Sequence, residues 1–289
     1  ATGLSREAMP RLVEGSAPSG DLRSELASRW GLGRVVVAGG AGDNAASAMG
    51  VGAVAPGAGF VSLGTSGVVF AATEAFRPDP ATAVHSFCHA LPGVWHQMGV
   101  ILSATDTLNW YAGLVGARAV DLTAELGAVQ PPGRAMVLPY LGGERTPHND
   151  AQVRAAMLGL DHATDRSAGT RAVLEGVCFA LKDNLDALAA TGTQVTRLLA
   201  VGGGSLSNYW LSALATALGM PIDRSVGGDF GAAFGAARLG QMAATGAGAE
   251  SATSPAIART FDPDPALAPA FAAAQARYRS AYQALKDLS

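Results

Sequence analysis

An apolar run, Arg34 to Ala38, leads through Gly39-Gly40-Ala41-Gly42 to Asp43-Asn44, so a strand delivers a lone carboxylate onto a glycine turn. Further on, Phe60 to Leu63 and Val68 to Ala72 flank Gly64-Thr65-Ser66-Gly67, a strand-turn-strand whose small and hydroxyl side chains leave the turn amides open. Backbone N–H groups in such a turn can hold phosphate oxygens, and a carboxylate can take the proton of an attacking hydroxyl. Together these parts suit phosphoryl transfer to an alcohol, the chemistry of a small-molecule kinase.

Each part also has a plainer reading. Asp is a frequent helix N-cap, and cap and base are compatible roles for Asp43. Gly64 to Gly67 alone is an ordinary turn. Gly40 to Ala45 fits G-x-G-x-x-A after a strand, but the dinucleotide fingerprint wants an acidic residue about 20 positions on, and none stands near Leu63. Gly202-Gly203-Gly204-Ser205 is a strand-to-helix junction of a kind found in any α/β fold. It would equally let a flat heterocycle approach, with Asn208 one turn on offering both donor and acceptor. His85, His89 and His96 lie near Cys88 without a paired cysteine, and read as structural histidines rather than metal ligands. The polar loop Glu144-Arg145-Thr146-Pro147-His148-Asn149-Asp150 follows an apolar strand, as a contribution to the site or as a self-bonded turn.

The elements that must carry these groups follow from periodicity. Ser19-Gly20-Asp21 before Leu22, Leu26 and Trp30 predicts a short amphipathic helix, and a small-residue helix is expected from Asp43 to Gly50, its dipole suited to an anion. Pro56-Gly57 breaks the chain, placing a domain boundary near Ala55. Strands are predicted over Phe60 to Leu63, Val68 to Ala72, Val94 to Val100, Ala135 to Leu138 and Arg197 to Val201. Helices are predicted over Ala104 to Val115, Ser167 to Ala189, around Trp210 to Leu218, Asp229 to Thr245 and Pro269 to Leu288, with Gly246 to Asp264 a loop. Hairpins first and strand-helix alternation later indicate an α/β fold with a mixed sheet.

With 289 residues, 49% hydrophobic and 15% charged, the chain is long enough for about two domains. A net charge of -3 without a basic block offers no footprint for nucleic acid or an anionic membrane, which favours a small polar substrate. The opening Ala1 to Arg6 is polar, with no basic-then-apolar signal. The uncharged run Ala45 to Thr73 is interrupted by Pro56 and many glycines, so it reads as buried helix and hairpin rather than a membrane span. Two cysteines, Cys88 and Cys178, cannot build a disulfide framework and suit a reducing cytoplasm. The two lysines, Lys182 and Lys286, follow no glycine loop, so a Walker-type P-loop is excluded and phosphate must be held by backbone amides and arginine.

Taken in order, these segments resemble the FGGY carbohydrate kinases, and within them the xylulokinases. The matching stretches are Gly42 to Ala46, Leu63 to Gly67, Ala83 to Pro92, Leu138 to Leu141 with Gly143 to Asn149, Arg171 to Gly176, and Gly202 to Ser205. The resemblance implies an actin-like, ribonuclease-H-related fold with a mixed sheet flanked by helices, ATP and Mg2+ as cofactors, and phosphorylation of D-xylulose to D-xylulose 5-phosphate. It implies that Asp43 is the general base and that Asn44 holds sugar hydroxyls. Gly64, Thr65, Ser66 and Gly67 would lie near the ATP phosphates, and Gly203, Gly204, Ser205 and Asn208 would line the adenosine pocket. Residues 1–55 would be the tail of the N-terminal sugar-binding domain and 56–289 the C-terminal nucleotide-binding domain. The amino-terminal phosphate hairpin, the magnesium-associated aspartate and most sugar contacts would fall in the part of the family this chain does not match. No metal ligand is assigned within the chain, and a homodimer is compatible with the apolar surface a partial domain exposes. Another FGGY sugar or polyol, or a non-catalytic nucleotide-binding homologue, stands as the alternative. Ala168 and Gly169 replace an acidic or amide residue and an apolar one in the family's second signature, which predicts a loosened helix start before Arg171.

Overall fold

The computed structural model describes residues 3–227 and 231–288. In chain order the elements are β1 (Pro18–Asp21), α1 (Ser24–Arg29), β2 (Val36–Ala38), α2 (Asp43–Val51), β3 (Gly59–Leu63), β4 (Gly67–Thr73), β5 (His85–Cys88) and β6 (Trp95–Ile101). Next come α3 (Thr105–Leu114), α4 (Ala119–Ala124), β7 (Met136–Leu138), β8 (Ala156–Leu158), α5 (Arg166–Ala190), β9 (Leu198–Val201) and α6 (Asn208–Leu218). The chain closes with β10 (Ile222–Ser225), α7 (Ala232–Thr245), β11 (Ile257–Phe261) and α8 (Ala268–Leu285). They form two compact units, and the first is discontinuous: it takes the residues up to Val54, Cys88–Val94, and the described part of 230–254.

In the first unit β1 pairs antiparallel with β2, Gly20 opposite Val37 and Asp21 opposite Val36. Ser19 to Asp21, expected to lead directly into the helix of Leu22, Leu26 and Trp30, are instead part of strand β1, and the helix starts at Ser24. The reason is tertiary: Ser19 Oγ donates to the Val37 carbonyl (3.0 Å) and Asp21 pairs with Arg34 (3.1 Å), so a partner strand outweighs a local cap. Helix α2 packs on α7 through small residues, with Gly235 directly against the Ala46 carbonyl, where any side chain would clash. Met49, Leu239 and Met242 fill the core of this unit, and Arg238 donates to the Met49 (2.6 Å) and Gly50 (3.1 Å) carbonyls at the end of α2. The predicted start of α7 at Asp229 lies outside the described residues.

The second unit is built on a seven-stranded mixed sheet in the order β11-β10-β9-β3-β4-β6-β5. The β3–β9 and β9–β10 pairs are parallel, whereas β3–β4, β4–β6 and β10–β11 are antiparallel. Strand β4 is buried along its whole length, which suits its run of Val, Phe and Ala at the middle of a covered sheet. Val173, Val177 and Leu181 of α5 are fully buried against it, as the helical spacing requires. Strand β11 occupies part of the expected loop Gly246 to Asp264, and the short β7–β8 pair places Leu138 opposite Ala156.

Helix α5 does not start loosely. Asp165 caps it, its carboxylate accepting the Ala168 N–H (2.7 Å). Gly169 sits where the Tyr111 hydroxyl of α3 presses onto the helix, leaving no room for a side chain. The departure from the family pattern is thus a packing solution rather than a weak start.

Candidate active site

Asp43 and Asn44 open α2 in the first unit. Gly42 (ψ 158°) occupies the N-cap and Asp43 is the first helical residue, so the N-cap reading of Asp43 is replaced by a first-turn carboxylate facing solvent. Its Oδ1 accepts the Asn44 N–H (2.8 Å) and Asn44 Nδ2 (3.2 Å), which fixes the carboxylate against the helix start.

The hairpin lies in the second unit. Register pairs Leu63 with Gly67, leaving Gly64, Thr65 and Ser66 as the turn, with Thr65 and Ser66 exposed. The Gly64 and Thr65 carbonyls are held against the start of α3. The Ala104 N–H donates to the Thr65 carbonyl (2.7 Å), and Thr105 donates to the Gly64 carbonyl from both its N–H (2.9 Å) and Oγ1 (2.8 Å). Gly67 is a packing glycine, since a Cβ there would come within 2.7 Å of Ile101.

The glycine junction meets this hairpin. Gly202 adopts φ +84° and a Cβ on it would lie 3.0 Å from the Gly64 N atom and 2.8 Å from the Leu63 carbonyl. Gly204 is closed in by Leu63 (2.7 Å) and Trp210 (2.9 Å), and the Ser205 hydroxyl is tied back to the Gly202 carbonyl (2.7 Å). Of Gly202, Gly203 and Gly204, only Gly203 has open space beside its α-carbon, with no described atom within 4 Å of the position a Cβ would take. Asn208 is exposed at the start of α6 and its Oδ1 accepts from Arg224 (2.9 Å), so the side chain is held by β10.

Two cavities flank this junction. One of about 360 Å³ is walled by Thr105, Leu108, Val120, Thr123, Gly203 and Trp210; the other, of about 520 Å³, runs from Gly203 and Leu206 to Arg224. The first mixes apolar walls with a few polar groups, as small-ligand sites do. The contributions of α3 and α4 escaped the sequence reading. Their available signal was Thr105 and Asn109 at i, i+4 beside buried Leu108, a polar face on an otherwise packed helix.

Two carboxyls are held protonated well above the ordinary range. Glu144 and Glu175 are each pushed up to about 8, in both cases chiefly by burial. A group whose folded pKa is raised adds stability that is complete below its unfolded pKa and lost as pH rises through the folded one. Glu175→Gln is therefore expected to gain stability over the parent by an amount that grows between pH about 5 and about 8 with a slope up to about 1.4 kcal/mol per pH unit, then levels off, and the gap in melting temperature should widen over the same range. A difference in melting temperature that stays flat with pH would show that Glu175 ionises normally.

A family model described as the C-terminal domain of the FGGY family of carbohydrate kinases matches residues 59–244. The chain belongs to this family. The hairpin, the glycine junction, Glu144 and Glu175 fall inside the matched FGGY range, and Asp43 and Asn44 precede it. A xylulose kinase of Escherichia coli (strain K12) is 48% identical over 246 residues, covering 84% of this chain and 51% of that protein. A xylulose kinase of Klebsiella pneumoniae is 46% identical, covering 84% and 50%. The crystal structure of a xyloylose kinase from Brucella ovis superposes with a TM-score of 0.96 at 59% identity, over 99% of this chain and 60% of that one. That of a xylulose kinase from Rhodospirillum rubrum gives 0.86 at 26% identity, over 99% and 59%. The fold is the actin-like, ribonuclease-H-related α/β fold of these sugar kinases. The FGGY chain spans about half the length of the curated relatives it matches.

Proposed function

We propose that this chain serves ATP-dependent phosphorylation of D-xylulose to D-xylulose 5-phosphate, acting together with the amino-terminal portion that its relatives carry. One observation carries the reading: the exposed Thr65-Ser66 turn, anchored by its carbonyls, adjoins the 360 Å³ cavity through Thr105, which belongs to both. Phosphate at the turn amides and adenosine along the cavity wall at Gly203 is the assignment this fits. Asp43 takes the proton of the sugar's terminal hydroxyl as that oxygen bonds to the γ-phosphorus and the bond to the β-phosphate oxygen breaks, releasing ADP. Asn44 orients the sugar hydroxyls, and the turn amides at Gly64 to Gly67 stabilise phosphate charge.

Among the described residues no group of three or more His, Cys, Asp or Glu could hold a metal ion. Mg2+ would enter with the nucleotide, as an ion that binds through one or two carboxylates plus substrate phosphates. When bound it would neutralise charge on the phosphate oxygens. We assign residues 1–55 to the tail of the family's N-terminal domain and 56–289 to its C-terminal domain. No helix among the described residues is long and apolar enough to cross a membrane. Free Cys88 and Cys178 fit a reducing cytoplasm, our proposed location, with a homodimer as the proposed assembly.

The test is a coupled ADP-release assay on the chain joined to the amino-terminal part of a relative, with D-xylulose and a panel of other sugars and polyols. D-xylulose is expected to give the highest kcat/KM. A different preferred substrate would reassign the sugar, and nucleotide binding without turnover on any of them would favour a non-catalytic homologue.

A further inference from the structure

The Glu144 to Asp150 loop is tied shut by reciprocal backbone bonds between Glu144 and Asp150, both 2.8 Å. It carries a carboxyl that the proposed chemistry does not use. The Glu144 side chain is 2% exposed, and its Oε1 accepts two backbone N–H groups, that of Arg145 (2.7 Å) and that of Leu102 (3.0 Å). Its Oε2 is buried with no hydrogen-bond partner among the described residues. Thr146 grips the same strand end: its N–H donates to the Val100 carbonyl (3.0 Å) and its Oγ1 accepts the Val100 N–H (3.1 Å). The loop therefore clamps β6 where it runs into α3. The next residues, Ala104 and Thr105, are the ones that hold the Gly64 and Thr65 carbonyls.

We infer that Glu144 is a positioning residue for the Gly64 to Gly67 turn, acting through the Leu102–Thr105 junction to aim the turn's amides. The inference rests on the reading of that turn as a phosphate site. A closed carboxyl-to-backbone clamp fixes the junction in one conformation, so the Ala104 and Thr105 donors arrive where the turn carbonyls need them. With the Gly64 and Thr65 carbonyls held, the turn's peptide units keep one orientation, and their N–H groups keep it with them. Glu144 acts as a neutral acid here, since a charge on a carboxyl with one bare buried oxygen would be costly. Gln has the same shape and the same acceptor, so it should replace Glu144, and Ala should not.

The experiment compares Glu144→Ala, Glu144→Gln and the parent in the chain joined to a relative's amino-terminal part. Thr105→Val, which removes only the Oγ1 bond to Gly64, is the milder second variant should Glu144→Ala fail to fold. Amide hydrogen exchange is read at Thr65, Ser66 and Gly67 without nucleotide, and kcat and both KM values are read with ATP and D-xylulose. The expected result for Glu144→Ala is faster exchange at these three amides and a kcat lower by about 10- to 100-fold, the scale of a lost positioning effect. The sugar KM should stay within about two-fold, and Glu144→Gln should match the parent; Thr105→Val should show the same pattern at smaller size. Unchanged exchange at the turn in Glu144→Ala or, if that does not fold, in Thr105→Val overturns the inference. A parent without turnover would count against the kinase reading, and the exchange comparison would still decide the structural link by itself.

Discussion

Replacing Asp43 by Asn is expected to lower kcat for sugar phosphorylation by about 10²- to 10⁴-fold, the usual worth of a positioned general base. ATP affinity and the fold should be nearly unchanged. The side chain is exposed, it does not cap α2, and its hydrogen bonds are to its immediate neighbour, so the amide disturbs little beyond the charge. Loss of a first-turn carboxylate should reduce stability by no more than about 1 kcal/mol. Measuring kcat, the ATP dissociation constant and the thermal transition on one preparation separates these effects. A variant that turns over within a few-fold of the parent would remove Asp43 from the chemistry and leave it an N-terminal helix carboxylate.

A bulky residue at Gly203 is expected to raise the KM for ATP by about ten-fold or more, equivalent to about 1.4 kcal/mol or more of lost binding. The sugar KM and the melting temperature should hardly move. Gly203 faces both cavities and has no described atom within 4 Å of the position a Cβ would take, so the new side chain enters ligand space without straining the protein. Gly204→Leu provides the contrast. Its Cβ would meet Leu63 and Trp210 at 2.7 and 2.9 Å, an overpacking that should cost about 1–3 kcal/mol of stability and affect both substrates alike. Equal kinetic effects of the two variants would mean that the cavity at Gly203 is not where adenosine binds. Asn208→Leu should behave like Gly203→Leu with a smaller effect, since it also frees Arg224.

The sequence determined the site's parts wherever a local pattern carried them. The hairpin was legible because apolar strands flank a Gly-Thr-Ser-Gly turn, and the long α5 because Val173, Val177, Leu181 and Leu185 repeat at helical spacing. The order of motifs was enough to indicate the family that the match over residues 59–244 shows. Strand β1 was illegible, because Pro-Ser-Gly-Asp is exposed throughout and exists as a strand only through its pairing with β2. Nothing in the composition of α7 says that it packs with α2; Gly235 against the Ala46 carbonyl decides that, across a long sequence separation. The glycine junction was legible as a place of close approach, but what each glycine meets there was not. A glycine string signals close approach, and only tertiary structure decides whether the approaching group is Leu63, as at Gly204, or open space, as at Gly203. The same holds for Glu144: its presence in a polar loop was visible, but a clamp on β6 depends on contacts between residues far apart in the chain, which no local pattern encodes.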